Sequence, residues 1–334
     1  MILISGWAHT VACMEELRKR IELGLRQLPC AERPAHPDVP ARTVNSGGKF
    51  PYRKPGGKAA TLSASDVGPL LAEAVRSDHA GGSPVSGGKN GAPPFDMLKA
   101  LGKVEGQAAA LHMKSGVRSA NFLSTMELWN ENSETEPSSI YARNLKAIIG
   151  KTGGKTFLAG WSLGGMIALE TAAKWPELVE GLILMSSTPK FCSGGDWPAG
   201  VPPSAIRAML AGLKKNPRGV FETFFKTVTA PSMAAESVVS SRTESACAMD
   251  LREAAYGLEY LRDRDFRETA GNLAVPALIL HGEKDSVVNV EAARRMNSLL
   301  ANSRLRVYDA AGHDLPSQNP QSVADDIMDF IKRR

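Results

Sequence analysis

Short uninterrupted apolar runs alternate along this chain with segments whose apolar residues recur every three to four positions. "MILIS" at the start, "TFLAG" (Thr156–Gly160), "VEGLILMSS" (Val179–Ser187), "VPALILHG" (Val275–Gly282) and "LRVYDA" (Leu305–Ala310) have strand length and predict strands, most of them buried. "CMEELRKRIEL" (Cys13–Leu23) sets Leu17, Ile21 and the following Leu25 near one helical face. "LGGMIALETAAKW" (Leu163–Trp175), closed by Pro176, and "PQSVADDIMDFIKRR" (Pro320–Arg334) read as further helices. Strands alternating with helices predict an α/β fold, a mostly parallel sheet covered by helices on both faces.

Two regions break the alternation. From residue 189 to 268 the strand signal vanishes, and "PSAIRAMLAGLKK" (Pro203–Lys215), "VFETFFKTV" (Val220–Val228) and "CAMDLREAAYGLEYLRD" (Cys247–Asp263) predict a helical cap. Residues 31–115 hold twelve of the 31 glycines, nine of the 21 prolines and three aromatics, with the near-repeats "NSGGKF" and "VSGGKN". That composition buries too little apolar surface to offset chain entropy, so loop is expected there. Short helices are expected over Val67–Arg76 and Phe95–His112. The resulting division is a core in three pieces (1–30, 116–188 and 269–334), a low-complexity insertion (31–115) and a cap (189–268).

Composition narrows the function classes. The chain has 334 residues and 43% apolar content, with no apolar run long enough to cross a membrane. "MILISGW" lacks a basic flank and a cleavage site, and reads as a strand, not a signal peptide. Cys13, Cys30, Cys192 and Cys247 are far apart, which speaks against a zinc site or disulfide framework and suits a reducing cytoplasm. The net charge is +5, but residues 31–115 carry eleven Lys/Arg against seven Asp/Glu, so most of the surplus sits in the insertion. That distribution predicts a solvated surface and neither a nucleic-acid stripe nor a membrane partner.

The candidate chemistry centres on Gly160-Trp161-Ser162-Leu163-Gly164. It follows an apolar strand and opens a helix, the setting in which a tight turn exposes a serine hydroxyl at a helix N-terminus. A plain helix N-cap serine is the competing reading. A nucleophilic serine needs a base held by an acid. Asp285 follows the strand "VPALILHG" and His313 follows "LRVYDA", both at the carboxyl edge of a parallel sheet. Glu283 is the rival acid, and His281 reads as a packing residue ending its strand. Two N–H donors must face a developing oxyanion; Leu163 N–H and, from "SGWAHT", Trp7 N–H are the candidates. Trp7 and Trp161 are expected to flank an acyl pocket, and His9 lies on the same loop as Trp7. "GKTGGKT" (Gly150–Thr156) is not a phosphate loop: its spacing is one residue short and it precedes a strand.

These residues resemble the α/β-hydrolase superfamily and, more narrowly, the pimeloyl-acyl-carrier-protein methyl ester esterases of biotin synthesis. The likeness rests on "ISGWAHT", "LAGWSLGGMIALETAAKWPELVEGLILMSSTPKFC", "DWPAG", "HGEKDSVV" and "AGHDLP". It covers about the first 30 residues and everything from about Ser138 onward. Ser5-Gly6 stands where most relatives have His-Gly, and the usual Asp-x-Pro-Gly-x-Gly segment is absent, "VRSANFLSTMEL" being what is left of the strand before it. The resemblance implies a carboxylesterase with Ser162, Asp285 and His313 as triad, with Trp161, Phe191 and Trp197 at the substrate and no metal or organic cofactor. It implies a small or carrier-bound acyl ester as substrate and an acidic acyl-carrier protein as partner. Between Arg207 and Lys226 five basic residues, among them Arg207, Lys214, Lys215 and Arg218, face one acidic residue, Glu222. That face is a docking candidate, and equally an ordinary solvated helix surface. A general short-chain esterase and a non-catalytic binding protein of the same fold remain the alternatives; the complete Ser, Asp and His set argues against the second.

Overall fold

The longest apolar runs become the middle of one sheet. The computed structural model describes residues 1–9, 11–26, 50–53, 59–62, 120–129, 139–232 and 234–334. In chain order its elements are β1 (Ile2–Ile4), α1 (Glu15–Arg26), β2 (Phe50–Arg53), β3 (Ala59–Leu62), β4 (Asn121–Leu123), α2 (Thr125–Leu128), α3 (Ile140–Gly150), β5 (Thr156–Trp161), α4 (Leu163–Lys174) and β6 (Val179–Met185). Helices α5 (Pro203–Lys215), α6 (Pro217–Thr229), α7 (Glu236–Cys247), α8 (Leu251–Asp263) and α9 (Arg267–Gly271) follow. The chain closes with β7 (Ala277–Gly282), α10 (Val290–Leu299), β8 (Ser303–Tyr308), α11 (Leu315–Gln318) and α12 (Pro320–Lys332).

Six strands form the sheet in the order β4-β1-β5-β6-β7-β8, every neighbouring pair parallel. β5 and β7 are buried along their whole length and β6 at all but one position, which is why they read as unbroken apolar runs. β8 lies at the edge and alternates in burial. The period of two sends alternate residues into different layers. Ile2, Ile4, Leu158, Leu182, Leu184 and Ile279 pack with the cap-side helices. Leu3, Ala159, Ile183, Met185, Leu278 and Leu280 pack against α1 and α12, where Leu17, Ile21 and Leu25 meet Val323, Ile327 and Ile331.

The chain divides into two compact units, one of residues Met1–Cys30 with Ala109–Arg334 and one of Ala31–Ala108. In the second, the described residues are β2 and β3, an antiparallel pair with Phe50 opposite Leu62. The helices expected over Val67–Arg76 and Phe95–His112 lie outside the described residues. β4, from "VRSANFLSTMEL", pairs in parallel with β1. The expected helix Cys247–Asp263 starts later, at Leu251, where the Asp250 side chain accepts from Arg252 N–H to open α8, and α7 (Glu236–Cys247) before it is not among the expected helices. Among the described residues, no helix is long and apolar enough to cross a membrane.

Candidate active site

The turn from β5 into α4 is held by contacts that leave no volume for side chains. A Cβ on Gly160 would lie 2.2 Å from Gly164 O, and one on Gly164 2.4 Å from Ile4 O. Between them Ser162 adopts φ 55° and ψ −119°, a conformation that costs a non-glycine residue on the order of 1–3 kcal/mol. Neighbouring strands keep it there: Ser162 N–H donates to Met185 O (2.9 Å) and Ser162 O accepts from Ser187 Oγ (2.8 Å). Its side chain makes no N-cap hydrogen bond, so the capping reading does not describe this serine.

The hydroxyl instead faces His313, with Ser162 Oγ 3.0 Å from His313 Nε2. His313 Nδ1 is 2.9 Å from Asp285 Oδ2. A carboxylate can only accept, so Nδ1 carries the proton and Nε2 is free to accept from Ser162. Asp285 is well supplied with donors: its Oδ1 accepts from Val287 and Val288 N–H, each at 2.8 Å. Burial would raise its pKa, but the neighbouring His313 and His281 outweigh burial and hold the carboxyl well below the usual range. Glu283 is turned away into an ion pair with Arg294 (2.8 Å).

Sequence reasoning missed the part played by His281. It is fully buried, but its Nε2 lies 2.8 Å from Val288 O and 3.2 Å from Asp285 Oδ2, so it also borders the acid. The signal available was the four-residue separation across a tight strand-ending turn.

The Gly6–Trp7 loop lies directly against the serine, a Cβ on Gly6 falling 3.2 Å from Ser162 Cβ. Ser5 Oγ donates to His9 O (2.9 Å), and His9 Nδ1 donates to Trp7 O (2.6 Å), bracing the loop from within. Burial first, then the Arg242 charge, holds the His9 pKa well below its ordinary value, so the ring is neutral. Trp7 Nε1 donates to Ala254 O on α8 (2.8 Å), tying the loop to the cap. Leu163 is the first residue of α4, where a backbone N–H has no intrahelical partner.

A cavity of about 640 Å³ opens onto Ser162 and is walled by Trp7, Phe191, Met209, Phe224, Leu258 and Val287. No charged side chain lines it among the described residues. Two of the expected substrate contacts lie outside the walls of this cavity. Trp161 does not line the cavity: the strand alternation places it with Phe157 and Ala159 in the opposite layer, where its Nε1 donates to His313 O (2.9 Å). Trp197 lines a separate depression with Asp196, Arg267 and Arg295, its indole donating to Lys190 O (2.9 Å). Arg207, Lys214 and Lys215 are exposed, whereas Arg218 is paired with Glu244 at 2.7 Å. Among the described residues no cluster of side chains is arranged to hold a metal ion.

Comparison with known proteins agrees with this geometry at the level of fold. The family described as alpha/beta hydrolase fold matches residues 128–320. A pimeloyl-[acyl-carrier protein] methyl ester esterase from Aromatoleum aromaticum is 29% identical over 184 residues, covering 52% of this chain and 73% of that protein. One from Xanthomonas axonopodis pv. citri is 31% identical over 175 residues, covering 52% and 69%. Among solved structures, an esterase from Exiguobacterium antarcticum superposes with a TM-score of 0.55 at 23% identity, over 58% of this chain and 73% of that one. A bromoperoxidase from Bacillus anthracis gives a TM-score of 0.57 at 16% identity, over 64% and 82%.

Proposed function

The chain belongs to the α/β-hydrolase family, and on that footing we propose that it is a serine carboxylesterase acting on the methyl ester of a pimeloyl chain borne by an acyl-carrier protein. The observation that carries the reading is the hydrogen-bonded row Ser162–His313–Asp285, at 3.0 and 2.9 Å, on the wall of an uncharged cavity.

In this reading Ser162 Oγ attacks the ester carbonyl as its proton passes to His313 Nε2. Asp285 holds the imidazole by Nδ1 and stabilises the imidazolium that forms. The backbone N–H groups of Trp7 and Leu163 receive the oxyanion. Collapse of the tetrahedral intermediate expels methanol, protonated by His313, and leaves an acyl-serine. Water, deprotonated by His313, attacks that ester; the free carboxylate departs and Ser162 regains its proton. The step needs no redox partner.

The substrate assignment rests on two supports. The matched relatives carry that activity in their names, and an uncharged cavity suits an acyl chain that is esterified at one end and thioester-linked at the other. Charged groups are costly to desolvate in such a cavity. The exposed Arg207, Lys214 and Lys215 of α5 are the proposed contact for an acidic carrier, in the cytoplasm, and the cap is proposed to span residues 189–268 over a core of 1–30, 116–188 and 269–334. The decisive test is growth without biotin in a strain lacking this esterase step. Restoration by the wild-type gene but not by Ser162→Ala is expected. Failure to restore growth, with brisk cleavage of p-nitrophenyl butyrate, would replace this substrate with a general short-chain ester.

A further inference from the structure

A buried ion pair joins cap helix α7 to the loop that carries His313. Arg242 Nη1 lies 2.8 Å from Asp314 Oδ2, the two side chains being 11% and 4% exposed. Arg242 Nη2 also donates to Ser317 Oγ (3.2 Å). Asp314 is the residue immediately after His313. The residue immediately before it, Gly312, donates its N–H to Gln318 Oε1 (2.9 Å), and Gln318 Nε2 donates to Thr229 O at the end of α6 (3.0 Å). His313 O itself is held by Trp161 Nε1. The base is thus held at three consecutive positions: Asp314 by Arg242 of α7, His313 O by Trp161 of the sheet, and Gly312 by Gln318 of α11, which in turn donates to the end of α6.

The pair is a poor device for stability alone. Taking two charges out of water costs about as much as their attraction returns, and apolar replacements are often as stable. Burial pushes the Asp314 carboxyl up in pKa, Arg242 countering it, and Asp314 Oδ1 finds no partner among the described residues. What the contact does supply is a tether: a buried positive charge 2.8 Å from one carboxylate oxygen holds Asp314, and with it the loop of His313, against α7. Arg242 does not line the cavity at Ser162, so it is placed to act on the base and not on the substrate.

We infer that Arg242 is a positioning residue: acting through Asp314, it sets His313 against Ser162, so that the seat of the cap on the sheet governs turnover. This rests on the serine-esterase reading above. The test is the double variant Arg242→Met/Asp314→Asn, which leaves no unpaired charge, compared with Arg242→Lys and wild type. Active serines are titrated with a fluorophosphonate, and kcat and KM are measured on p-nitrophenyl butyrate. The double variant should melt within a few degrees of wild type, and its kcat per titrated serine should fall about 10- to 100-fold with KM nearly unchanged. Arg242→Lys, which keeps the charge, should recover part of that loss. An unchanged kcat per titrated serine, a loss confined to KM, or an Arg242→Lys variant no better than the double variant would overturn the inference. A wild-type protein that takes no label at Ser162 and cleaves no ester would instead overturn the serine reading, and this inference with it.

Discussion

Helix α4, which follows the elbow, buries ten of its twelve residues, whereas α7 in the cap buries three of its twelve. The first is fixed by main-chain atoms: the places where Gly160 and Gly164 would carry a Cβ are occupied by carbonyl oxygens. The second touches the rest of the molecule through a few side chains, Arg242 among them. Buried acids show the same contrast. Asp285, at the sheet edge, has donors on both oxygens and a depressed pKa. Glu253, on α8, accepts from Tyr141 Oη at 3.1 Å but leaves Oε2 without a partner among the described residues, and burial pushes its pKa up to about 7. The candidate triad thus sits where the backbone permits one arrangement, whereas α7 and α8 are held by side chains with unmet polar atoms.

The largest test of that contrast is Ser162→Ala. Turnover of p-nitrophenyl butyrate should drop by at least about 10⁴-fold, with no loss of melting temperature, because the substitution relieves no packing and removes the attacking oxygen. Next, Gly160→Ala should cost more than about 4 kcal/mol by denaturant unfolding, since its Cβ would meet backbone and not a movable side chain. The matched change on α7, Ser240→Ala at an exposed position, should stay within about 0.5 kcal/mol. If the two cost the same, the distinction between elbow and cap fails.

Glu253 gives a pH-dependent test. Its pKa is about 7 when folded and about 4.3 when unfolded. Between those values the native state binds more protons, so stability is fullest below about pH 4 and falls as pH rises through 7. Glu253→Gln should therefore be more stable than wild type by about 3–4 kcal/mol at pH 8, the gain nearly vanishing at about pH 4. A gain independent of pH would contradict the assignment. Smaller again, dimethyl pimelate should exceed its monomethyl half-ester in kcat/KM by at least about tenfold, since the half-ester must carry a carboxylate into an uncharged cavity. Smallest is the carrier contact: Lys214→Glu/Lys215→Glu should raise KM severalfold for a carrier-bound ester and leave p-nitrophenyl butyrate unaffected.

The same contrast explains what the sequence made legible. The strands β5, β6 and β7 announce themselves as apolar runs, because burial on both faces leaves few polar positions, Thr156, Glu180 and His281 among them. The glycine spacing around Ser162, and Asp285 and His313 after their strands, are equally plain, because sterics and topology dictate both. Other features depend on contacts between distant segments. Helix α7, with the sequence "ESVVSSRTESAC", has little apolar periodicity and gives no helix signal in the sequence. The turn of Trp161 toward His313 follows from strand parity, which a motif does not display. The bordering of Asp285 by His281, and of Asp314 by Arg242 seventy-two positions earlier, likewise appears only once the chain is folded.

The most direct measurement is the location of the acyl group during turnover. The protein is mixed with p-nitrophenyl butyrate, quenched in acid within the burst, digested and weighed by mass spectrometry. A butyryl group on the peptide containing Ser162, accumulating with the p-nitrophenol burst and absent from His313→Ala, is the result expected. Undiminished hydrolysis with no acyl group at Ser162 would contradict the account.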